Sequence, residues 1–492
     1  MLHKLLEQAA KTCPDKTALI CQDKSVTYQE LNDRANVIAH RLLTYTTLGD
    51  RILIALPNGI EMVIAIYATL KAGAAFVIVN HQIKHQKLQQ IVNNCKPRVI
   101  ITSLNYSISL LSPDILSAKI ECPLMLPDLK ETIIEWSGTP ITVPNLAMLI
   151  YTSGSTGEPK GVVTLHSNAI AAVNAVQEYL QLKQNDVIFN VLPFTYSYGL
   201  YHLFLAANVC ATLVLEPPFM FAAYSVKRMH EVKATIFPLL SSIAGMILKD
   251  ENAVKEYLTS LRIITCAGGP IPVKFTQRFR QLLPDTKIIP MYGLTECKRV
   301  SYLPPEAIDT KPDSVGIPIS GCKVRIVDEF DADVPTGQVG ELLVNGPHVM
   351  EGYWNAKAKT AAIFRKDEKG AVWLYTGDYF QMDAEGFLYF VSRVDDVIKV
   401  RNQRVTTTEI ENILLSMPGI ENIVITTKPD DMAGKLLFAH VVSTSEIIER
   451  DFFLFCKIHL EAHMIPTKII FHQQIPLMQN GKVDKLLLTA LT

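Results

Sequence analysis

The segment AMLIYTSGSTGEPKGVV (147–163) brings glycines, hydroxyl side chains and a lysine together directly after an apolar run. Glycines allow backbone N–H groups to turn toward an anion, hydroxyl groups add donors, and the lysine adds positive charge. The segment therefore predicts a loop that binds a polyphosphate. It differs from a Walker motif, because Pro159 stands where that motif needs its second glycine. Taken alone, the run is also compatible with a flexible surface loop.

The elements that must position this loop are short apolar runs alternating with helical patterns. RILIAL (51–56) predicts a buried strand, NGIEMVIAIYATLKAG (58–73) a helix closed by a glycine, and AAFVIV (74–79) the next strand. The same alternation recurs at 187–192, 212–216, 262–267 and 287–292. Continuous apolar strands indicate parallel sheets covered by helices on both faces. Ligands of such folds bind at the carboxyl ends of the strands.

Gly268 and Gly269 in CAGGP (266–270) follow one of these predicted strands. Two adjacent glycines permit close approach of the backbone to a ligand. A plain strand-to-helix turn explains the same residues equally well.

The later part of the chain changes character. Between about 314 and 390, short strands are separated by Gly, Asp and Pro turns, which indicates an antiparallel β subdomain. A helix at TTTEIENILLSMPG and a strand at ENIVITT follow, typical of a separate α+β domain. We therefore expect an α/β protein with a large N-terminal domain at 1–393, including that subdomain, and a small C-terminal domain at 394–492.

Composition excludes several classes of protein. The 492 residues are 49% hydrophobic and 19% charged, which is enough for a large core and argues against disorder. A formal net charge of −1 gives no global attraction to nucleic acid or anionic lipid. Nine scattered cysteines form no CxxC pair, so a reducing cytoplasmic location is expected. The most apolar stretch (199–224) is broken by Pro217 and Pro218, so no transmembrane segment is predicted.

Five segments in the same order resemble the adenylate-forming superfamily, which includes acyl-CoA synthetases, acyl and aryl ligases, firefly luciferases and the adenylation domains of nonribosomal peptide synthetases. The segments are YTSGSTGEPKG, MYGLTEC, LYTGDYF, VSRVDDVIKV and QIPLMQNGKVDK. The resemblance covers nearly the whole chain. It implies that the protein binds ATP and Mg²⁺ and activates a small carboxylic acid as an acyl-adenylate.

The resemblance also assigns ATP-binding residues. It implies that Tyr292 stacks on adenine, Thr295 contacts the α-phosphate, Glu296 binds Mg²⁺, Asp378 accepts hydrogen bonds from the ribose, and Arg393 contacts the ribose or the phosphates. The remaining implied nucleotide-binding residues are Thr152, Ser153, Gly154, Ser155, Thr156, Gly157, Lys160, Gly268, Gly269 and Gly293. One departure concerns adenine: Pro290 stands where relatives often have a polar side chain, so recognition there depends more on the backbone.

Further implied roles fall on the C-terminal domain. Lys482 resembles the family's catalytic lysine, and Asp395 lies where the family pivots between its two half-reactions. Lys399 follows on the loop that enters the active site for the second half-reaction. These roles imply a small domain that is mobile about Asp395.

The segment LPFTYSYGLYH (192–202) resembles the part of the family that lines the acyl pocket. Tyr196, Tyr198 and Gly199 then suggest an aromatic or medium aliphatic acid, although ordinary core packing explains the tyrosines as well. Thr195 stands where amino-acid-activating domains place an aspartate, which disfavours an α-amino acid substrate.

We therefore predict an acid–thiol ligase that forms AMP, with coenzyme A as the acceptor. A ligase that loads the phosphopantetheine of a free-standing carrier protein is one alternative. A nucleotide-binding regulator without catalytic activity is another.

Overall fold

The computed structural model describes residues 1–102, 146–153, 159–217, 219, 222–393, 397–400, 403–430, 434–477 and 483–491. The chain divides into two compact units. Unit 1 comprises Met1–Lys323 and Val344–Leu374, and unit 2 comprises Val324–Leu343 and Tyr375–Thr492. Within the described residues, no helix combines the length and apolar character needed to cross a membrane.

The strands, in chain order, are β1 (Thr17–Cys21), β2 (Lys24–Thr27), β3 (Arg51–Ala55), β4 (Ala75–Ile78), β5 (Val99–Thr102), β6 (Leu146–Ser153), β7 (Pro159–Leu165), β8 (Val187–Asn190), β9 (Thr212–Leu215), β10 (Ile236–Leu239), β11 (Ile263–Cys266), β12 (Lys287–Tyr292), β13 (Ser301–Tyr302), β14 (Ile317–Pro318), β15 (Lys323–Val327), β16 (Gly340–Asn345), β17 (Gly352–Tyr353), β18 (Phe364–Lys366), β19 (Val372–Met382), β20 (Leu388–Arg393), β21 (Val397–Val400), β22 (Gln403–Thr406), β23 (Ile420–Asp430), β24 (Gly434–Ser443) and β25 (Lys468–Phe471).

The helices are α1 (His3–Thr12), α2 (Tyr28–Leu43), α3 (Ile60–Lys71), α4 (His85–Cys95), α5 (His166–Leu180), α6 (Ser197–Val209), α7 (Ala222–Glu231), α8 (Ser241–Ile247), α9 (Glu251–Tyr257), α10 (Val273–Leu282), α11 (Lys357–Ile363), α12 (Thr407–Leu415), α13 (Glu449–His459) and α14 (Lys485–Ala490).

Two large sheets form the framework of unit 1. The first has nine strands in the order β14-β13-β12-β11-β10-β8-β9-β1-β2, and its central strands, β12 to β1, pair in parallel. The second has six strands in the order β17-β7-β6-β4-β3-β5, with parallel pairs among β3 to β6 and an antiparallel hairpin of β6 and β7. The continuous apolar runs thus form buried parallel strands, which confirms the predicted α/β fold.

Unit 2 is built from antiparallel pairs and a small α+β layer. β20 pairs antiparallel with the later part of β19, and β23 pairs antiparallel with β24. β25 joins β24 in parallel to complete a three-stranded sheet. Ile410 of α12 and Phe452 of α13 are fully buried in one cluster with this sheet. The helix predicted over TTTEIENILLSMPG (406–419) is present at Thr407–Leu415, and the strand predicted over ENIVITT (421–427) is part of a longer strand, Ile420–Asp430.

A buried carboxylate fixes the amino ends of three parallel strands of the nine-stranded sheet. Asp186 precedes β8 and is 2% exposed. Its side chain accepts hydrogen bonds from Thr235 Oγ1 (2.8 Å), just before β10, and from Arg262 Nε (2.7 Å), just before β11. Burial alone would raise the pKa of Asp186, but these bonds and one from the Lys183 N–H outweigh it and lower the pKa. The network therefore sets the register of strands whose opposite ends carry the loops described below.

Replacing this carboxylate should destabilise the protein strongly. Asp186→Ala leaves the Arg262 guanidinium without its partner, and breaking such a pair costs about 3 kcal/mol. The free energy of unfolding in urea measures the effect. Glu251→Ala is the matched control, because it breaks the exposed ion pair with Arg278 and should change stability far less. Equal losses in the two variants would contradict a structural role for the Asp186 network.

Candidate active site

Three segments singled out in the sequence follow parallel strands of the nine-stranded sheet. The segment containing Tyr196 follows β8, Gly268 and Gly269 follow β11, and Thr295 and Glu296 follow β12. The carboxyl ends of parallel strands lie on the same edge of a sheet. The fold therefore brings the predicted acyl, adenine and metal segments to one edge.

The segment after β12 is a tight turn that closes on its own strand. The Val300 N–H donates to the Tyr292 carbonyl (2.9 Å), so the chain returns beside β12. Gly293 allows this return, because a Cβ there would lie 2.3 Å from the Lys298 carbonyl oxygen. Lys298 has a φ of 63°, a left-handed conformation that is unusual for lysine. The turn therefore fixes the backbone of Thr295 and Glu296.

Tyr353 joins this turn to the hairpin of the predicted phosphate loop. Its hydroxyl donates to Glu296 Oε1 at 2.8 Å, and the ring lies 5.4 Å from the Lys160 ammonium. Tyr353 is on β17, which pairs with Val162 and Val163 of β7. One side chain therefore contacts both the carboxylate predicted to bind Mg²⁺ and the lysine predicted to bind phosphate.

The hairpin itself places its polar residues at the β6–β7 turn. Thr152 is opposite Lys160, and Ser153 is opposite Pro159. Gly154, Ser155, Thr156 and Gly157 lie outside the described residues. The described ends of the hairpin are thus fixed in register on either side of the predicted loop.

A second link between β7 and the turn is made by a buried lysine. Lys298 is 2% exposed and donates from Nζ to Thr164 Oγ1 at 2.8 Å. Burial lowers the pKa of Lys298 to about 8. Among the described residues, the buried His348 ring has no hydrogen-bond partner on either nitrogen. Burial, followed by the Lys298 charge, lowers the pKa of His348 to about 4. His348 is therefore neutral at physiological pH, beside a lysine that remains largely protonated.

The residues predicted for the acyl pocket lie at the start of α6. Tyr198 is 7% exposed, and its hydroxyl is 2.8 Å from Thr265 Oγ1 on β11. Gly199 is also buried, and a Cβ there would lie 2.7 Å from the Pro193 carbonyl oxygen, so close backbone packing requires glycine. Tyr196 is half-buried.

The two glycines after β11 differ in their surroundings. Gly268 has a φ of 87°, whereas Gly269 would have open space around a Cβ. Of these two glycines, only Gly269 therefore leaves room for another group to approach its backbone.

The predicted ribose-binding residues pair within unit 2. Antiparallel register puts Asp378 of β19 opposite Arg393 of β20, and their side chains form an ion pair of 3.3 Å. The Asp378 side chain is 3% exposed, and the Arg393 side chain is 50% exposed. Lys399 is on β21, opposite Arg404 of β22. Asp395 and Lys482 lie outside the described residues.

Sequence reasoning missed several residues of this site. Tyr353 belongs to GELLVNGPHVMEGYWN (340–355), a segment for which the sequence predicted no binding or catalytic role. Lys298 and Arg299 follow the TEC motif directly, and the signal was an adjacent pair of cations leading into a buried strand. At position 290, proline offers adenine only its backbone carbonyl. This carbonyl accepts a hydrogen bond from the Leu303 N–H at 2.8 Å. It therefore already has one partner within the sheet.

The chain is similar to known proteins along nearly its whole length. The chain is 30% identical over 497 residues to one of the proteins that make up the linear gramicidin synthase of Brevibacillus parabrevis, covering 99% of this chain and 6% of that protein. It is 27% identical over 473 residues to 2-succinylbenzoate–CoA ligase of Bacillus cereus, covering 96% and 95%. The chain therefore spans a small part of the first relative and nearly all of the second.

Solved structures extend the similarity to the fold. o-Succinylbenzoate coenzyme A synthetase from Bacillus subtilis, in complex with ATP and a magnesium ion, matches with a TM-score of 0.86 and 26% identity, covering 99% of each chain. The model of the AMP-binding enzyme family matches residues 6–354, and that of its C-terminal domain matches residues 409–482. Because the match to the AMP-binding enzyme model alone covers more than half of the sequence, the chain belongs to the AMP-binding enzyme family, within the adenylate-forming superfamily.

Proposed function

We propose that the protein is an AMP-forming acid–thiol ligase that activates a small carboxylic acid with ATP and passes the acyl group to coenzyme A. The observation that carries the proposal is the Tyr353 contact with both Glu296 and Lys160. This contact puts a carboxylate suited to Mg²⁺ and a cation suited to phosphate on one side chain, beside the strand ends where ligands of α/β folds bind.

The first half-reaction joins the acid to AMP. A carboxylate oxygen of the acid attacks the α-phosphorus of ATP, the bond from that phosphorus to its bridging oxygen breaks, and pyrophosphate leaves. Two anions must meet, and charge develops on the phosphoryl oxygens. Lys160 and the backbone N–H groups of the loop at 152–157 would hold the phosphates, and Lys482 would stabilise the transition state. Mg²⁺ bound at Glu296 would offset further negative charge.

The remaining site residues would hold the rest of the nucleotide. Asp378 presents a buried carboxylate with two acceptor oxygens, which suits a ribose diol, and Arg393 pairs with that carboxylate. Tyr292 would stack on adenine, with Gly268 and Gly269 on the neighbouring loop and Gly293 holding the turn. Thr295 would contact the α-phosphate.

The second half-reaction releases AMP. A thiolate attacks the acyl carbon, the bond from that carbon to the AMP oxygen breaks, and a thioester forms. We assign Asp395 as the pivot for the small domain between the two steps, and Lys399 to the loop that enters for the second. A cytoplasmic location is part of the same proposal, since it accounts for the unpaired thiols of the described cysteines.

Transfer to a carrier protein is the second candidate. The favouring observation is the 30% identity to a protein of linear gramicidin synthase. Thr195 and Tyr196 offer no carboxylate for a substrate ammonium, which argues against an α-amino acid as the substrate. Thioester formation with coenzyme A, compared with formation on phosphopantetheinylated carrier protein, decides between the two acceptors.

Acid-dependent exchange of labelled pyrophosphate into ATP tests adenylation. We expect Lys482→Ala to lower this exchange by about 10²–10³-fold, the usual loss when one donor to a charged transition state is removed. Lys485→Ala, three positions along the same segment, is the matched control and should retain the parent rate. Exchange by Lys482→Ala within a few-fold of the parent would remove this lysine from catalysis. Nucleotide binding without exchange in the parent, over a broad acid panel, would favour the regulator.

Tyr353 should act through the metal carboxylate. Tyr353→Phe removes the hydroxyl that orients Glu296, and loss of such an orienting partner typically weakens metal affinity by about 10–100-fold. We therefore expect a rise of about that size in the Mg²⁺ concentration for half-maximal exchange. Tyr224→Phe is the control, because it removes a hydroxyl that donates to a different carboxylate, Glu216. An unchanged Mg²⁺ requirement in Tyr353→Phe would contradict the assignment of the metal to Glu296.

A further inference from the structure

Arg299 is a buried cation without a counter-charge. Arg299 is 8% exposed. Within the described part of the chain, its guanidinium forms no ion pair with a carboxylate. The guanidinium lies 4.5 Å from the centre of the Tyr198 ring, donates to the Lys298 carbonyl at 3.0 Å and is hydrogen-bonded to the Tyr179 side chain. Its Nε atom has no hydrogen-bond partner in the ranges that the structure describes. Burying a charge in this way is costly unless something else compensates it.

A small cavity adjoins this guanidinium. It has a volume of about 10 Å³, which is room for one oxygen-sized group, and its polar lining residues are Ser197, Tyr201, His202, Lys298 and Arg299. The rest of its lining is apolar and contains neither aspartate nor glutamate. The Tyr201 hydroxyl and His202 Nδ1 are buried and have no hydrogen-bond partner among the described residues. Three polar atoms of the residues that line the cavity therefore lack partners in the described part of the chain.

The three atoms share one chemical preference. Arg299 Nε is a donor only, and the Tyr201 hydroxyl can donate to an oxygen. Burial, followed by the charge of Arg299, lowers the pKa of His202 to about 3, so the ring is neutral and can carry a proton on Nδ1. An acceptor with negative charge satisfies all three donors and also neutralises the guanidinium. A carboxylate meets both conditions, whereas water would leave the charge uncompensated.

We propose that the cavity beside Arg299 binds a second anionic group at the far end of the acid substrate, so that the protein selects acids with two carboxylates. One oxygen of the distal carboxylate would enter the cavity, pair with Arg299 and accept hydrogen bonds from Tyr201 and His202. This inference rests on the proposed function, because it specifies the acid. The location supports it: the cavity is lined by residues of α6, whose first turn carries Tyr198 and Gly199, and by Met291, directly before Tyr292.

The test compares α,ω-dicarboxylic acids of increasing chain length with their monomethyl esters in pyrophosphate exchange. At the best length, kcat/KM for the diacid should exceed that for the ester by at least about 30-fold, because the ester leaves the buried donors without a charged partner. Arg299→Gln should reduce this ratio to about 1, and Arg299→Lys should restore part of it. Arg280→Gln, which removes an exposed arginine, should leave the ratio at the parent value.

Tyr201→Phe keeps the test valid if Arg299 variants fold poorly. The Tyr201 hydroxyl has no hydrogen-bond partner to lose among the residues described, so the variant should melt at the parent temperature. It should nevertheless lower the diacid-to-ester ratio by about 10-fold. An unchanged ratio in Tyr201→Phe, or a parent enzyme that uses esters as well as diacids, would overturn the inference while leaving the ligase activity in place.

Calorimetric titration of the diacid and its ester into the parent protein separates failure of this inference from failure of the proposed function. If no acid supports exchange, the proposed ligase activity has failed, and binding alone decides about the cavity. Diacid binding at least about 10-fold tighter than ester binding, and lost in Arg299→Gln, would support the anion site. Equal binding, or none, would overturn it.

Discussion

The candidate site depends on the contact of Tyr353 with Glu296 and Lys160, because these two residues come from different sheets. Glu296 follows a strand of the nine-stranded sheet, whereas Lys160 is on the hairpin of the six-stranded sheet. A carboxylate and an ammonium brought near phosphate must not neutralise each other directly. The tyrosine keeps both charges available by binding one through its hydroxyl and the other through its ring face. The bond from Lys298 to Thr164 makes a second connection between the same two segments.

Positive charge is concentrated in the turn after β12. Lys298 and Arg299 are both buried there, and His348 beside them is neutral because burial lowers its pKa to about 4. The left-handed φ of Lys298 and the absence of a side chain at Gly293 let the turn fold tightly. Backbone strain of this kind persists where the surrounding structure compensates it, often at ligand sites. The turn thus carries both Glu296 and Arg299, and Arg299 lines the small cavity.

Sequence patterns predicted the strands well and the contacts between segments poorly. The run KIIPMY became β12 with the predicted bounds, because an uninterrupted apolar run has few alternatives to a buried strand. The resemblance identified Glu296 and Lys160, but not Tyr353. Tyr353 and Glu296 are 57 positions apart, so no local sequence pattern links them. Arg299 was also missed, because adjacent cations usually indicate a solvated surface and only packing shows that these are buried. Roles that rest on Asp395 and Lys482 remain predictions.

In the proposed first half-reaction, an oxygen of the acid attacks the α-phosphorus of ATP. An acid labelled with oxygen-18 in its carboxylate tests this step, with mass spectrometry of the nucleotide and of the phosphate products. We expect the label to appear in AMP once the thioester has formed, because the bond broken in the second step lies between the acyl carbon and that oxygen. Label in inorganic phosphate, with ADP as the nucleotide product, would instead show attack on the γ-phosphorus and rule out the proposed adenylation.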